Sequence, residues 1–241
     1  MSEIDGVERV LVVVAHPDDC DFGCAATTAR WTDAGVVVSY CIVTDGAAGG
    51  SDLSVSRADM AQLRRREQAA AAAEVGVSDL TFLDYPDGRL TASIDVRRDI
   101  TRVIRQKRPD RVMSQSPLRN FQRIFASHPD HLAAGEATLD AVYPDARNPF
   151  AHMELLEKEG LEPHTVKEVW LMGGGGVTPD QVVDVTDTAD RKLAALKQHV
   201  SQYDDWDALE ERVRSWLSAT AQANGLAEGR LAEMFQVVHT G

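Results

Sequence analysis

Continuous apolar runs rich in β-branched residues alternate with helix-length segments along this chain, and that alternation admits few folds. Residues 10–15, VLVVVA, carry no polar face and read as a strand buried on both sides. Residues 21–35 read as a helix ended by Gly35. Residues 36–44, VVVSYCIVT, form a second buried strand. Residues 57–75 are a helix by their Ala, Arg and Glu content, and 80–85 a short strand. Residues 93–108 are an amphipathic helix with apolar positions at 94, 96, 100, 103 and 104. A strand at 110–115, a loop at 116–126 and a helix over 128–142 follow, then late strands at 165–173 and 180–187. Two or three helices and a last strand at 234–239 complete the chain, with surface loops at 144–152 and 157–164. Strands alternating with helices imply an α/β, Rossmann-like fold, a largely parallel sheet covered by helices on both faces. With 241 residues, 44% of them hydrophobic, and no repeat or long linker, one domain over 1–241 is expected.

Charge narrows the partners. Lys and Arg number 25 against 38 Asp and Glu, a formal net charge of -13. That balance argues against nucleic-acid backbones and anionic lipid surfaces. No apolar run is long enough to insert in a membrane, and the opening MSEIDG has no signal-peptide pattern, so a cytoplasmic protein is expected. A homo-oligomer is compatible with the sequence. The three cysteines, Cys20, Cys24 and Cys41, are an odd count and read as small core residues. The run Gly173 to Gly176 fits neither dinucleotide nor P-loop spacing and reads as a turn after a strand.

Chemistry gathers at two stretches. The first strand ends in His16, Pro17, Asp18 and Asp19, at the carboxyl edge where open parallel sheets bind ligands. Pro17 cannot continue a central strand, so the chain leaves the sheet there. One aspartate would suffice to cap the following helix; a histidine with two aspartates exceeds that need. The second stretch, SHPDH, puts His128 and His131 three residues apart at a helix start, with Pro129 and Asp130 suited to the first turn. Two histidines and a carboxylate match a catalytic zinc site that keeps one position for water, which is the chemistry of metal-assisted hydrolysis.

With AHPDD at 15–19 and HPDH at 128–131, the chain resembles the PIG-L or LmbE-like deacetylases, zinc enzymes that remove acetyl from N-acetylglucosamine units. TDG at 44–46, RRRE at 64–67, EVGV at 74–77, PDG at 86–88, VWLMG at 169–173 and DVTDTADRKLAALKQHVSQ at 184–202 look like family positions in the family's order. The resemblance implies His16, Asp19 and His131 as ligands of Zn2+, or of Fe2+, Mn2+ or Co2+. It implies Asp18 as general base, His128 as the group assisting the carbonyl oxygen or protonating the leaving amine, and Asp130 as the carboxylate orienting His128. It makes Arg64 and Asp87 substrate-pocket residues. An Arg64–Glu67 pair within the helix and a plain Pro-Asp-Gly turn would also explain these two. His199, in KQHVSQ, is read as reaching the pocket. Ala126 stands where some mycothiol-pathway members carry a tyrosine. Strand alternation alone would put His16 and Asp18 on one side; Pro17 breaks that alternation. The expected substrate is a small amino-sugar conjugate, cleaved to acetate and a free amine, with one residue or two doing the acid–base work. The rival expectations are an amidase for a larger acyl group such as a mycothiol S-conjugate, a non-catalytic sugar- or nucleotide-binding domain, and a phosphoester hydrolase.

Overall fold

A computed structural model describes residues 3–172 and 178–241 of the chain. The glycine run at 173–176 lies outside the described residues, and with it the turn expected there. Among the described residues one sheet contains β1 (Arg9–Val14), β2 (Val37–Thr44), β3 (Asp79–Tyr85), β4 (Arg111–Gln115), β5 (Glu168–Met172), β6 (Gln181–Asp184) and β7 (Ala232–His239). Their order is β3-β2-β1-β4-β5-β7-β6. The first five pair in parallel, and β7 runs antiparallel to both its neighbours. The helices are α1 (Asp19–Asp33), α2 (Arg57–Glu74), α3 (Ile94–Lys107), α4 (Pro129–Asp140), α5 (Met153–Glu157), α6 (Ala189–Leu196) and α7 (Trp206–Ala223).

The unbroken apolar run of β1 feeds two cores at once. Val10, Val12 and Val14 face a cluster with Ala26 of α1, Ala72 of α2, Leu193 of α6 and Leu217 of α7. Leu11 and Val13 face the opposite cluster, with Ile100 of α3 and Ala134 of α4. Both faces of the sheet are therefore covered, as a parallel sheet requires. Cys20 and Cys24 are buried in the first core and Cys41 in the second, all three as free thiols.

The largest differences from the sequence expectation lie after α4. The helix expected to run to residue 142 stops at Asp140, and Ala141–Ala146 continue in wider turns. Tyr143 precedes Pro144 and sits in extended conformation (φ -142°, ψ 119°), where a residue before proline is steered. The short helix α5 lies between the two expected surface loops.

Strand order fixes the place of the site. After β1 the sheet grows toward β2 on one side and β4 on the other, which opens a crevice at their carboxyl ends. Gln115, the last residue of β4, bridges it, its Oε1 accepting the Ala15 N–H at 2.9 Å. Helix α4 lies close above because Gly135 has no side chain. A Cβ there would fall 2.3 Å from the Gln115 carbonyl oxygen and 3.0 Å from the Pro117 nitrogen. Gly135→Ala should therefore cost about 1–3 kcal/mol by forcing α4 off β4. Thermal unfolding would report it as a Tm lowered by several degrees, and an unchanged Tm would show room that this packing denies.

Candidate active site

Both histidine stretches reach this crevice. His16 follows β1, and its backbone N–H donates to Asp19 Oδ2 at 2.7 Å. His128 stands at the N-cap of α4, and His131 lies in its first turn. The three rings converge, with centroids 4.9 Å apart for His16 and His128, 5.2 Å for His16 and His131, and 5.3 Å for His128 and His131. Proline at the first position of α4 suits a helix start and turns the chain there.

His16 divides its two nitrogens between two neighbourhoods. Nδ1 lies 3.2 Å from His131 Nε2 and 3.4 Å from Asp19 Oδ2. His131 Nε2 lies 3.1 Å from Asp19 Oδ1. Nε2 of His16 points the other way, 3.1 Å from Asp130 Oδ2 and 3.2 Å from Asp87 Oδ1. Both carboxylates are held in place by the backbone. Asp130 accepts the N–H groups of Gly88 at 2.7 Å and Leu90 at 3.1 Å, and Asp87 accepts that of Ala48 at 2.9 Å.

Three carboxylates around one buried imidazole call for positive charge. Burial works to lower the pKa of His16, but hydrogen bonds to Asp130, Asp19 and Asp87 push it up to about 12. Burial works to raise Asp19, yet the charge and hydrogen bond of His131, joined by His16, hold it well below the carboxylate range. Asp87 behaves likewise and falls to about 2, with His16 opposing burial. Asp18 differs: burial outweighs the neighbouring Arg64 charge and pushes it up to about 6. A cation bound beside it would pull that value back down.

Asp18 and Asp19 begin α1, and the side chain of neither behaves as a simple cap. Asp18 is the N-cap residue but makes no side-chain cap hydrogen bond, and its backbone is left-handed (φ 85°, ψ -22°). A non-glycine residue in that region costs about 1–3 kcal/mol and persists only where its surroundings fix it. Here Gln68 Oε1 accepts the Asp18 N–H at 2.7 Å, and Arg64 Nη2 donates to the carbonyl of the preceding Pro17 at 2.6 Å.

The family of GlcNAc-PI de-N-acetylases, PIG-L, matches residues 11–142, a segment that contains every one of these residues. The chain belongs to the PIG-L family. It is 34% identical over 213 residues to the diacetylchitobiose deacetylase of Thermococcus kodakarensis, covering 87% of this chain and 76% of that one. The 1D-myo-inositol 2-acetamido-2-deoxy-alpha-D-glucopyranoside deacetylase of Kineococcus radiotolerans is 29% identical, covering 84% of this chain and 71% of its own. Among solved structures, the N,N'-diacetylchitobiose deacetylase of Pyrococcus horikoshii superimposes with a TM-score of 0.87 at 31% identity, covering 98% of this PIG-L chain and 85% of that chain.

The donor set can be tested against a metal. Ligand atoms 2.0–2.1 Å from a tetrahedral zinc lie about 3.3 Å from one another. His16 Nδ1, Asp19 and His131 Nε2 stand 3.1–3.4 Å apart, so the residues fit. His131 is the most open of the three side chains, which leaves a side for water or substrate. Two other groupings also meet at His16: with His128 and His131, and with Asp87 and Asp130. The second surrounds the opposite ring nitrogen. An ion there would displace the ring proton and compete with the Gly88 N–H for Asp130, so these carboxylates are better understood as holding the imidazole.

Four of the expected site residues make contacts that the sequence did not indicate. Asp130 was expected to orient His128, but its carboxylate meets His16; only its backbone N–H reaches His128, donating to Nδ1 at 3.2 Å. Arg64, expected to touch substrate, is 4% exposed and reaches inward to Pro17, Gly46 and Asp18. Asp87 is 7% exposed, its carboxylate turned to His16 and the Ala48 N–H. His199 is 0% exposed, with Nε2 2.8 Å from Asp21 Oδ2. Spacing on a helix or in a turn names a residue without saying which way it faces. The Arg64–Glu67 pair is not formed either, because Glu67 accepts from the Ser201 N–H and hydroxyl instead. Arg65 and Arg66 are solvent-exposed. The side chain of Ala126 lies outside the described residues. Three contributors escaped the sequence reading: Gln68, Asp21 and Tyr203, whose hydroxyl donates to Asp18 Oδ2 at 3.1 Å. No local pattern marks them, since their role is purely tertiary.

Proposed function

We propose that this protein is a metal-dependent N-deacetylase, a single catalytic domain over residues 1–241, that cleaves an N-acetylglucosamine-type conjugate to acetate and a free amine. The observation that carries this is the convergence of His16, Asp19 and His131 beside a buried carboxylate, Asp18, whose Oδ2 is held by Tyr203 and Arg64. The deacetylase relatives support the substrate class. His16 Nδ1, an Asp19 oxygen and His131 Nε2 would hold zinc, or iron, manganese or cobalt in the divalent state. Such an ion supplies Lewis acidity, which acidifies water and polarises an acetamide carbonyl.

The protein's own groups do the rest. Asp18 accepts the proton of the attacking water and returns it to the leaving nitrogen. Its Oδ2 is engaged by Arg64 and Tyr203, so Oδ1 is the oxygen that meets the water. His128 Nδ1 accepts the Asp130 N–H, so the neutral ring carries its proton on Nε2. Burial, together with His16 and His131, lowers its pKa and keeps that neutral form. It therefore acts as a donor to the carbonyl oxygen as negative charge develops there. Asp130 and Asp87 accept the Nε2–H of His16 and so present Nδ1 to the metal. We place the reaction in the cytoplasm: the cysteines are unpaired, and among the described residues no helix is long and apolar enough to cross a membrane.

The test is a substrate panel followed by mass spectrometry: N,N'-diacetylchitobiose, an N-acetylglucosaminyl inositol, and an S-conjugate amide with a larger acyl group. Acetate and amine from an acetamido sugar are expected. Cleavage confined to the larger amide would make the protein an amidase of another class, and no cleavage by metal-loaded protein would contradict the proposal.

A further inference from the structure

The segment that follows α6 returns to the site and is fastened to it at successive residues. His199 Nε2 meets Asp21 Oδ2 at 2.8 Å. Ser201 donates its N–H and hydroxyl to Glu67 of α2 at 2.8 and 2.7 Å. The Tyr203 ring packs edge-on to Phe22 of α1, with centroids 5.6 Å apart, and against Trp206 at 6.1 Å. These contacts deliver its hydroxyl to Asp18 Oδ2 at 3.1 Å, on the same oxygen that Arg64 Nη2 approaches at 3.3 Å. Asp18 Oδ1 receives no hydrogen bond from the described residues.

The geometry points to Tyr203 as a positioning residue for the deacetylation, a phenol that pins one oxygen of Asp18 so that the other faces the attacking water. This rests on the reading of Asp18 as the base. The backbone of Asp18 is fixed by Gln68, and its carboxylate would otherwise be loose, because the terminal torsion of an aspartate is broad and roughly two-fold. Two donors on Oδ2 remove that freedom. Burial and the Asp18 charge raise the pKa of the phenol, so it stays protonated and remains a donor. Misplacing a catalytic group by an ångström can cost about 10²-fold in rate. Losing one of two anchors should cost less.

Tyr203→Phe keeps the ring against Phe22 and Trp206 and removes only the hydroxyl. With metal-loaded protein and N,N'-diacetylchitobiose, kcat should fall about tenfold with KM changed less than about twofold. Metal content and Tm should match the parent. The same change made on Asp18→Asn, followed under single-turnover conditions, should have little further effect, because the group it positions no longer acts as a base. An unchanged kcat in Tyr203→Phe would overturn the inference, as would an equal fold-loss with and without Asp18. Full turnover by Asp18→Asn itself would instead remove the base, and so strike the reading beneath.

Discussion

Asp18→Asn should lower turnover by about 10²–10⁴-fold while metal binding stays at the parent level. Asparagine has the size of aspartate and can still accept the Tyr203 and Arg64 hydrogen bonds through its amide oxygen. Its amide nitrogen cannot take a proton from water. The loss should fall on kcat rather than KM, because the proton moves in the transition state and not on binding. Asp18 sits in left-handed backbone held by Gln68 through the main-chain N–H, a contact the substitution leaves alone. Unfolding temperature therefore serves as an internal control. Kinetics with metal analysis on the same preparation decide the point: turnover within threefold of the parent at full metal content would take Asp18 out of the mechanism.

His131→Ala should remove both metal and activity. In the proposed site each of His16 and His131 would supply one of three protein donors, and a three-donor site that loses one keeps a lopsided pair. Removing Nε2 also leaves Asp19 without the partner whose charge and hydrogen bond do most to offset its burial. Asp130→Asn should act on the same property more gently. It weakens the carboxylate contact at His16 Nε2, and a change of that kind costs about 10–100-fold in metal affinity. Titration of stripped protein with zinc, read by an indicator dye, should rank the parent first, Asp130→Asn second and His131→Ala last. Equal affinity in all three would relocate the ion away from these residues.

The sheet was largely legible in the sequence because buried parallel strands leave a plain signal. Residues 10–15 and 36–44 have no polar face, and β1 and β2 fall within one residue of them. The antiparallel direction of β7 was not legible, since an isolated apolar strand does not show which way it runs. At the site, His16, Asp18, Asp19, His128 and His131 announced themselves by local clustering, and the fold brings them together. Orientation was the missing information. Asp130 looked like a partner of His128 because they are two residues apart, yet the start of α4 turns its carboxylate to His16 more than a hundred residues away. The inward contacts of Arg64, Asp87 and His199, to Pro17, His16 and Asp21, could not be read from their spacing. Tyr203 gave no signal, because 185 residues separate it from Asp18.

By the proposed function, one metal ion held at His16, Asp19 and His131 carries the deacetylation, and reconstitution tests this most directly. Protein stripped by a chelator and dialysed free of it should release no amine from the acetamido sugar cleaved in the substrate panel. Activity should return in proportion to added zinc and saturate at about one ion per chain. Stripped protein that still deacetylates at the full rate would contradict the account, as would a His16, Asp19 and His131 triple alanine variant that recovers activity at the same zinc ratio.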